Sequence, residues 1–98
     1  MSLIQTRQFV LTGDVSVNKR VWNSFLEAIH KSGATIFGTI KHEFYPQGMT
    51  GIVVIGESHV AIHTWPELGK AWVEFATCGD IKQAEVFERE LRKLIEKG

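Results

Sequence analysis

Three strand-like runs follow one another through the middle of the chain, over residues 50–55, 60–64 and 71–77. Only Gly56-Glu57-Ser58 and Trp65-Pro66-Glu67-Leu68-Gly69 separate them. A sheet must therefore organise the fold, and the flanking segments must cover it. Residues 4–11 read as a further strand, ending at the turn signal Thr12-Gly13-Asp14. Residues 34–44, with Ile36, Phe37, Ile40 and several threonines, favour another. Tyr45-Pro46-Gln47-Gly48 marks a turn.

Two segments carry helical periodicity instead. Val21, Phe25, Ala28 and Ile29 recur at helical spacing behind Ser16 or Asn18, either of which can cap the helix. Ser32-Gly33 stops it. Asp80 and Gln83 have the spacing of a capping box, and the helix behind them buries Ala84, Phe87, Leu91, Leu94 and Ile95 on one stripe. The predicted order is β-α-β-β-β-β-α. This implies an α/β (α+β) two-layer sandwich, an antiparallel-rich sheet covered on one face by two helices. The other sheet face stays open unless a second subunit covers it.

The 98 residues suit one domain, residues 1–98, and 44% hydrophobic content excludes a disordered chain. Eleven basic and eleven acidic side chains give a formal charge of +0, which removes the footprint of a general nucleic-acid binder. No apolar run reaches the ~20 residues of a membrane span. MSLIQTRQ lacks a signal-peptide pattern, and Cys78 is the single cysteine, so no internal disulfide can form. A cytoplasmic protein is the expectation.

Reactive side chains interrupt the central strands: Glu57-Ser58-His59, His63-Thr64-Trp65-Pro66-Glu67, then Thr77-Cys78-Gly79-Asp80. Polar groups in core-like strands are costly unless partnered, so their concentration suggests a site. His59 and His63 have the i, i+4 spacing of a helical zinc pair. In a strand the same pair is roughly 13 Å apart, too far for one metal, so no metal site is assigned. Ser58, His63 and Cys78 supply hydrolase residue types, but no nucleophile elbow accompanies them.

The run Glu57-Ser58-His59 with Ile62-His63-Thr64-Trp65-Pro66-Glu67 and Thr77-Cys78-Gly79 resembles the signature of the prokaryotic S-adenosylmethionine decarboxylases. Phe44-Tyr45-Pro46-Gln47-Gly48 and Gly51-Ile52-Val53-Val54-Ile55 resemble the segments before that signature. The resemblance implies a proenzyme that cuts itself between Glu57 and Ser58, into residues 1–57 and 58–98. Ser58 becomes a pyruvoyl cofactor that forms a Schiff base with S-adenosylmethionine and accepts electrons during decarboxylation. The product is an aminopropyl donor for spermidine biosynthesis. His63 matches the processing base and Cys78 the proton donor. Phe44 matches the aromatic that stacks on adenine, and Glu67 the carboxylate that holds the ribose hydroxyls. Thr50 falls where the family commonly has a serine that assists processing. It keeps the hydroxyl and adds a methyl group, which predicts slower self-cleavage. Glu74-Phe75-Ala76 departs from the aspartate-containing pattern expected before Thr77.

Ser58 and His63 differ by an odd number, so in one continuous strand they point to opposite faces, roughly 16 Å apart. Either the chain bends after Ser58, or His63 acts on the other subunit's Ser58. The resemblance implies a homodimer with shared active sites in a four-layer arrangement. Ser58 and Cys78 would come from one subunit, and Phe44, Thr50, His63 and Glu67 from the other. Two other functions stay open: a pyruvoyl decarboxylase of ornithine or arginine, and a module that binds a nucleoside without processing.

Overall fold

A computed structural model describes residues 3–56 and 58–96. The elements are β1 (Gln5–Thr12), α1 (Asn18–Lys31), β2 (Gly38–Glu43), β3 (Met49–Ile55), β4 (Ser58–Trp65), β5 (Lys70–Thr77) and α2 (Lys82–Glu96), with a 3-10 turn at Pro66–Leu68. The strands form one antiparallel sheet in the order β1-β5-β4-β3-β2. Tight turns join the antiparallel neighbours β2, β3, β4 and β5 in sequence, whereas α1 carries the chain from β1, paired with β5 at one edge, to β2 at the other. The expected α+β two-layer sandwich is what the chain adopts.

Alternation along the strands sorts the side chains. Phe9, Leu11, Met49, Val53, Ile55, Val60, Ile62, Ala71, Val73 and Phe75 point at the helices and join one core. α1 supplies Val21, Trp22, Phe25, Ala28 and Ile29, and α2 supplies Ala84, Phe87, Leu91 and Ile95. Phe87 is the hub. Its ring lies 5.2 Å from Phe75, 5.8 Å from Phe25 and 5.9 Å from Phe9. Each fully buried Phe is worth roughly 1.5–3 kcal/mol of transfer free energy. Leu94, expected on the buried stripe, is only half-buried.

Trp22 is the core's most specific contact. Its ring occupies the space above Gly51 of β3, and a Cβ there would run into it. Lys41 of β2 stands over the same ring, 5.4 Å from its centroid.

Among the described residues no helix covers the opposite sheet face. Val10, Ile40, Ile52 and Val54 are 40–70% exposed on it. One cross-strand row runs Val10, Trp72, His63, Thr50, His42. No helix among the described residues is long and apolar enough to cross a membrane.

Local boundaries differ from the expectation in three places. Residues 34–37 lie outside β2. Phe37 donates its N–H to the Val54 carbonyl at 2.8 Å but is 70% exposed, so its side chain contributes little to holding a regular strand. Neither Ser16 nor Asn18 caps α1. The cap position is Val17, whose side chain makes no cap hydrogen bond. Ser16 donates its N–H to Asp14 instead, and Asn18 donates Nδ2–H to the Gly48 carbonyl. The Asp80 carboxylate accepts from Lys82 N–H at 2.9 Å, while Gln83 N–H goes to the Asp80 carbonyl. Ser32-Gly33 does end α1, with Gly33 at φ 87° and its N–H on the His30 carbonyl.

Candidate active site

The reactive residues gather in two places, at opposite ends of β4. β4 runs unbroken from Ser58 to Trp65, so the chain does not bend after Ser58. Ser58 faces the helices with Val60 and Ile62, whereas His63 faces the open side with His59 and Trp65.

At the first end, Ser58 is 7% exposed and held by Cys78. The Cys78 N–H donates to Ser58 Oγ at 2.9 Å, and the Ser58 hydroxyl points to Cys78 Sγ at 3.6 Å. Cys78 follows the last residue of β5, where Gly79 N–H donates to Thr77 Oγ1 and turns the chain. Cys78 is exposed, so it is not the inert buried thiol of a core cysteine. Both residues open onto a cleft of about 350 Å³ lined also by Phe37, Ile55 and Gln83. Glu57, the other half of the expected cleavage bond, lies outside the described residues.

At the second end, Thr50 and His63 are cross-strand partners, and Thr50 Oγ1 lies 3.0 Å from His63 Nδ1. That contact engages Nδ1 and orients the imidazole, and among the described residues no hydrogen bond occupies Nε2. Trp72 and Trp65 flank the same ring at 5.6 Å and 6.3 Å. Phe44 and Glu67 share a cleft of about 320 Å³ with Thr50, His63, Gln47 and Trp65. Glu67 projects from the 3-10 turn, which Gly69 closes at φ 63° with its N–H on the Pro66 carbonyl. Phe44 sits just past β2, where its N–H donates to the Gly48 carbonyl at 2.9 Å. A phenyl ring, a carboxylate and an oriented imidazole on one cleft suit a ligand with a flat base and a diol.

All six line one cleft or the other, Ser58 and Cys78 the first and Phe44, Thr50, His63 and Glu67 the second. Gln47, Trp65 and Gln83 join them without having been singled out. Gln47 and Trp65 stood inside the motif, whereas Gln83 gave no signal beyond its helix-start spacing. His59 belongs to neither cleft. Its Nε2 meets Glu74 Oε1 at 3.1 Å, and Gln8 donates to the other Glu74 oxygen at 2.8 Å. Hydrogen bonds from His59 and then Gln8 hold the Glu74 carboxyl below its ordinary range.

Fold and site together define a small α+β domain that presents a serine–cysteine pair and a histidine–threonine pair at the two ends of one strand. The family model for S-adenosylmethionine decarboxylase matches residues 13–97. The chain belongs to the S-adenosylmethionine decarboxylase family. An S-adenosylmethionine decarboxylase proenzyme of Syntrophomonas wolfei is 48% identical over 73 residues, 74% of this chain and 56% of that protein. One from Carboxydothermus hydrogenoformans is 53% identical over 62 residues, 63% and 49% of the two chains. One from Pseudomonas aeruginosa is 55% identical over 58 residues, 59% and 36%. The alignments therefore span about a third to just over half of these relatives' length. The crystal structure of the adenosylmethionine decarboxylase from Aquifex aeolicus superposes with a TM-score of 0.86 at 26% identity, covering 96% of this chain and 81% of that one.

Proposed function

We propose that this chain is a self-processing, pyruvoyl-dependent S-adenosylmethionine decarboxylase working as a homodimer with shared sites. One observation carries the reading. The two halves of the expected constellation stand at opposite ends of β4, and each half lacks what the other has.

Two copies packed across their open sheet faces, with the two-fold axis perpendicular to β4, run their β4 strands in opposite directions. The Ser58–Cys78 end of one then approaches the Phe44–Thr50–His63–Glu67 end of the other. The exposed apolar side chains Val10, Ile40, Ile52 and Val54 give that face a reason to be covered.

Processing starts at Ser58. Its hydroxyl oxygen attacks the Glu57 carbonyl carbon, the Oγ–C bond forms, the C–N bond breaks, and the proton passes to the amine. A base then takes the Ser58 α-proton, and the Cβ–Oγ bond breaks to release residues 1–57 as a carboxylate. Water replaces the nitrogen as ammonia, leaving a pyruvoyl group on residue 58. His63 of the facing copy is the base, oriented by Thr50. The Cys78 N–H fixes the Ser58 oxygen before attack.

A buried Ser58 oxygen with two contacts to Cys78 fits a residue destined to become the cofactor. When formed, the pyruvoyl group supplies an electron sink for loss of carbon dioxide. Phe44 stacks on the adenine, where its face also attracts the sulfonium charge. Glu67 accepts hydrogen bonds from the ribose diol. Cys78, exposed to the cleft, delivers a proton to the substrate carbon after carbon dioxide leaves. The product serves as the aminopropyl donor for spermidine, in a cytoplasmic setting.

Intact-mass measurement of the purified chain tests the proposal. Cleavage between Glu57 and Ser58, with the second fragment lighter by one ammonia than a serine-initiated chain, is expected. An uncleaved chain after prolonged incubation would overturn the self-processing reading.

A further inference from the structure

His42 is not required by the chemistry above, yet it touches the site twice. It pairs with Thr50 across β2 and β3, next in the row after His63. Its ring centroid also lies 4.7 Å from that of Phe44 at an interplanar angle of 68°. That is an edge-to-face aromatic contact. No described hydrogen bond joins His42 to Thr50 or His63, so it stands outside the proton path.

Phe44 needs such a neighbour. It is 50% exposed, it lies just past the end of β2, and Tyr45 after it is 99% exposed. The backbone bond from Phe44 N–H to Gly48 fixes where the residue sits but leaves its ring free to turn. His42 comes two positions earlier, on the same side of the strand, and meets that ring side-on. Among the described residues it makes the aromatic contact that defines the Phe44 plane.

We infer that His42 is a positioning residue that sets the Phe44 ring for stacking on the purine. The inference rests on the adenosine-binding role of Phe44 proposed above. A stacking surface set before the ligand arrives avoids the entropy of ordering it on binding. His42 therefore contributes to affinity for the nucleoside and acts through Phe44, without contacting the reacting atoms.

The test compares His42→Ala and His42→Phe in the full chain. The readouts are calorimetric binding of 5′-methylthioadenosine and steady-state kinetics with S-adenosylmethionine. His42→Ala should weaken nucleoside binding about five-fold and raise KM by a similar factor, with a smaller change in kcat. His42→Phe keeps a ring of similar size and should recover most of the loss. Wild-type-like nucleoside binding by His42→Ala overturns the inference, as does an equal loss in both variants. If the wild-type chain itself binds neither nucleoside, the reading of Phe44 fails and the inference falls with it. His42 is exposed in the single chain, outside its core, and sedimentation checks that both variants keep the wild-type assembly across the open face. Urea unfolding identifies either one that loses stability.

Discussion

Ser58 and His63 lie on one uninterrupted strand and leave it on opposite faces of the sheet. Five steps along the strand separate them by roughly 16 Å, a gap that side-chain motion does not close. A serine that needs this histidine must take it from another copy. Ser58→Ala and His63→Ala chains should each remain uncleaved alone. Mixed after gentle unfolding and refolding, the His63→Ala chains should be cut, up to about half of them at equal amounts, since random pairing puts half in mixed dimers. Gel analysis of the mixture reads the result, and no cleavage would count against shared sites.

The Thr50–His63 bond makes a separate prediction. Thr50→Val preserves the shape and removes the hydroxyl, so the imidazole loses its orienting partner. Self-cleavage should slow about ten-fold, the scale of one modest hydrogen bond. Thr50→Ser keeps the bond without the methyl group and should cleave faster than the wild-type chain. Single-turnover cleavage rates distinguish the three, and equal rates would show that the hydroxyl has no part in processing.

Gly51 tests the core beneath that pair. Gly51→Ala pushes a methyl group into the buried Trp22 ring, and the chain should lose about 1–3 kcal/mol. Trp22→Leu costs stability alone by leaving a void. It should cost less in the Gly51→Ala background, where the methyl group fills part of that void. Urea midpoints of the four chains give the coupling directly. Simple additivity would mean that the two residues do not share the space the structure assigns them.

Glu74 predicts how stability responds to acid. Hydrogen bonds from His59 and Gln8 lower its folded pKa, so it binds protons less readily folded than unfolded. Its stabilisation is complete above the ordinary glutamate range and is lost as pH falls from that range through the lowered folded value. Glu74→Gln should cost about 1 kcal/mol at neutral pH and show a smaller loss on acidification to about pH 4. The same acid sensitivity in both chains would contradict the assignment.

The sheet, both helices and the opposite facing of Ser58 and His63 were legible in the sequence because each depends on a short repeat. Alternation placed the inward residues, helical spacing placed Phe25 and Phe87, and the odd separation of Ser58 and His63 placed them on opposite faces. Features set by competition between local partners were not legible. Ser16 lost its capping role to the nearby Asp14 carboxylate, and Asn18 turned to Gly48, thirty positions away. Residues 34–36 have strand-forming side chains but lie beyond the end of β3, and Phe37 keeps a backbone bond to Val54 without extending the regular strand. The contact of His42 with Phe44 needed both the strand and its end to be known. The packing of Trp22 on Gly51 joins elements that no local pattern connects.

On the shared-site reading proposed above, a serine at one end of β4 and its base at the other would make maturation a second-order event. A newly made chain on its own would keep an ordinary serine, and conversion would wait on encounter with a second copy. Dilution would then lengthen the lifetime of the immature form, and crowding would shorten it. Every chain bearing the reactive carbonyl would already have met a partner, so the cofactor would serve as a chemical record of assembly.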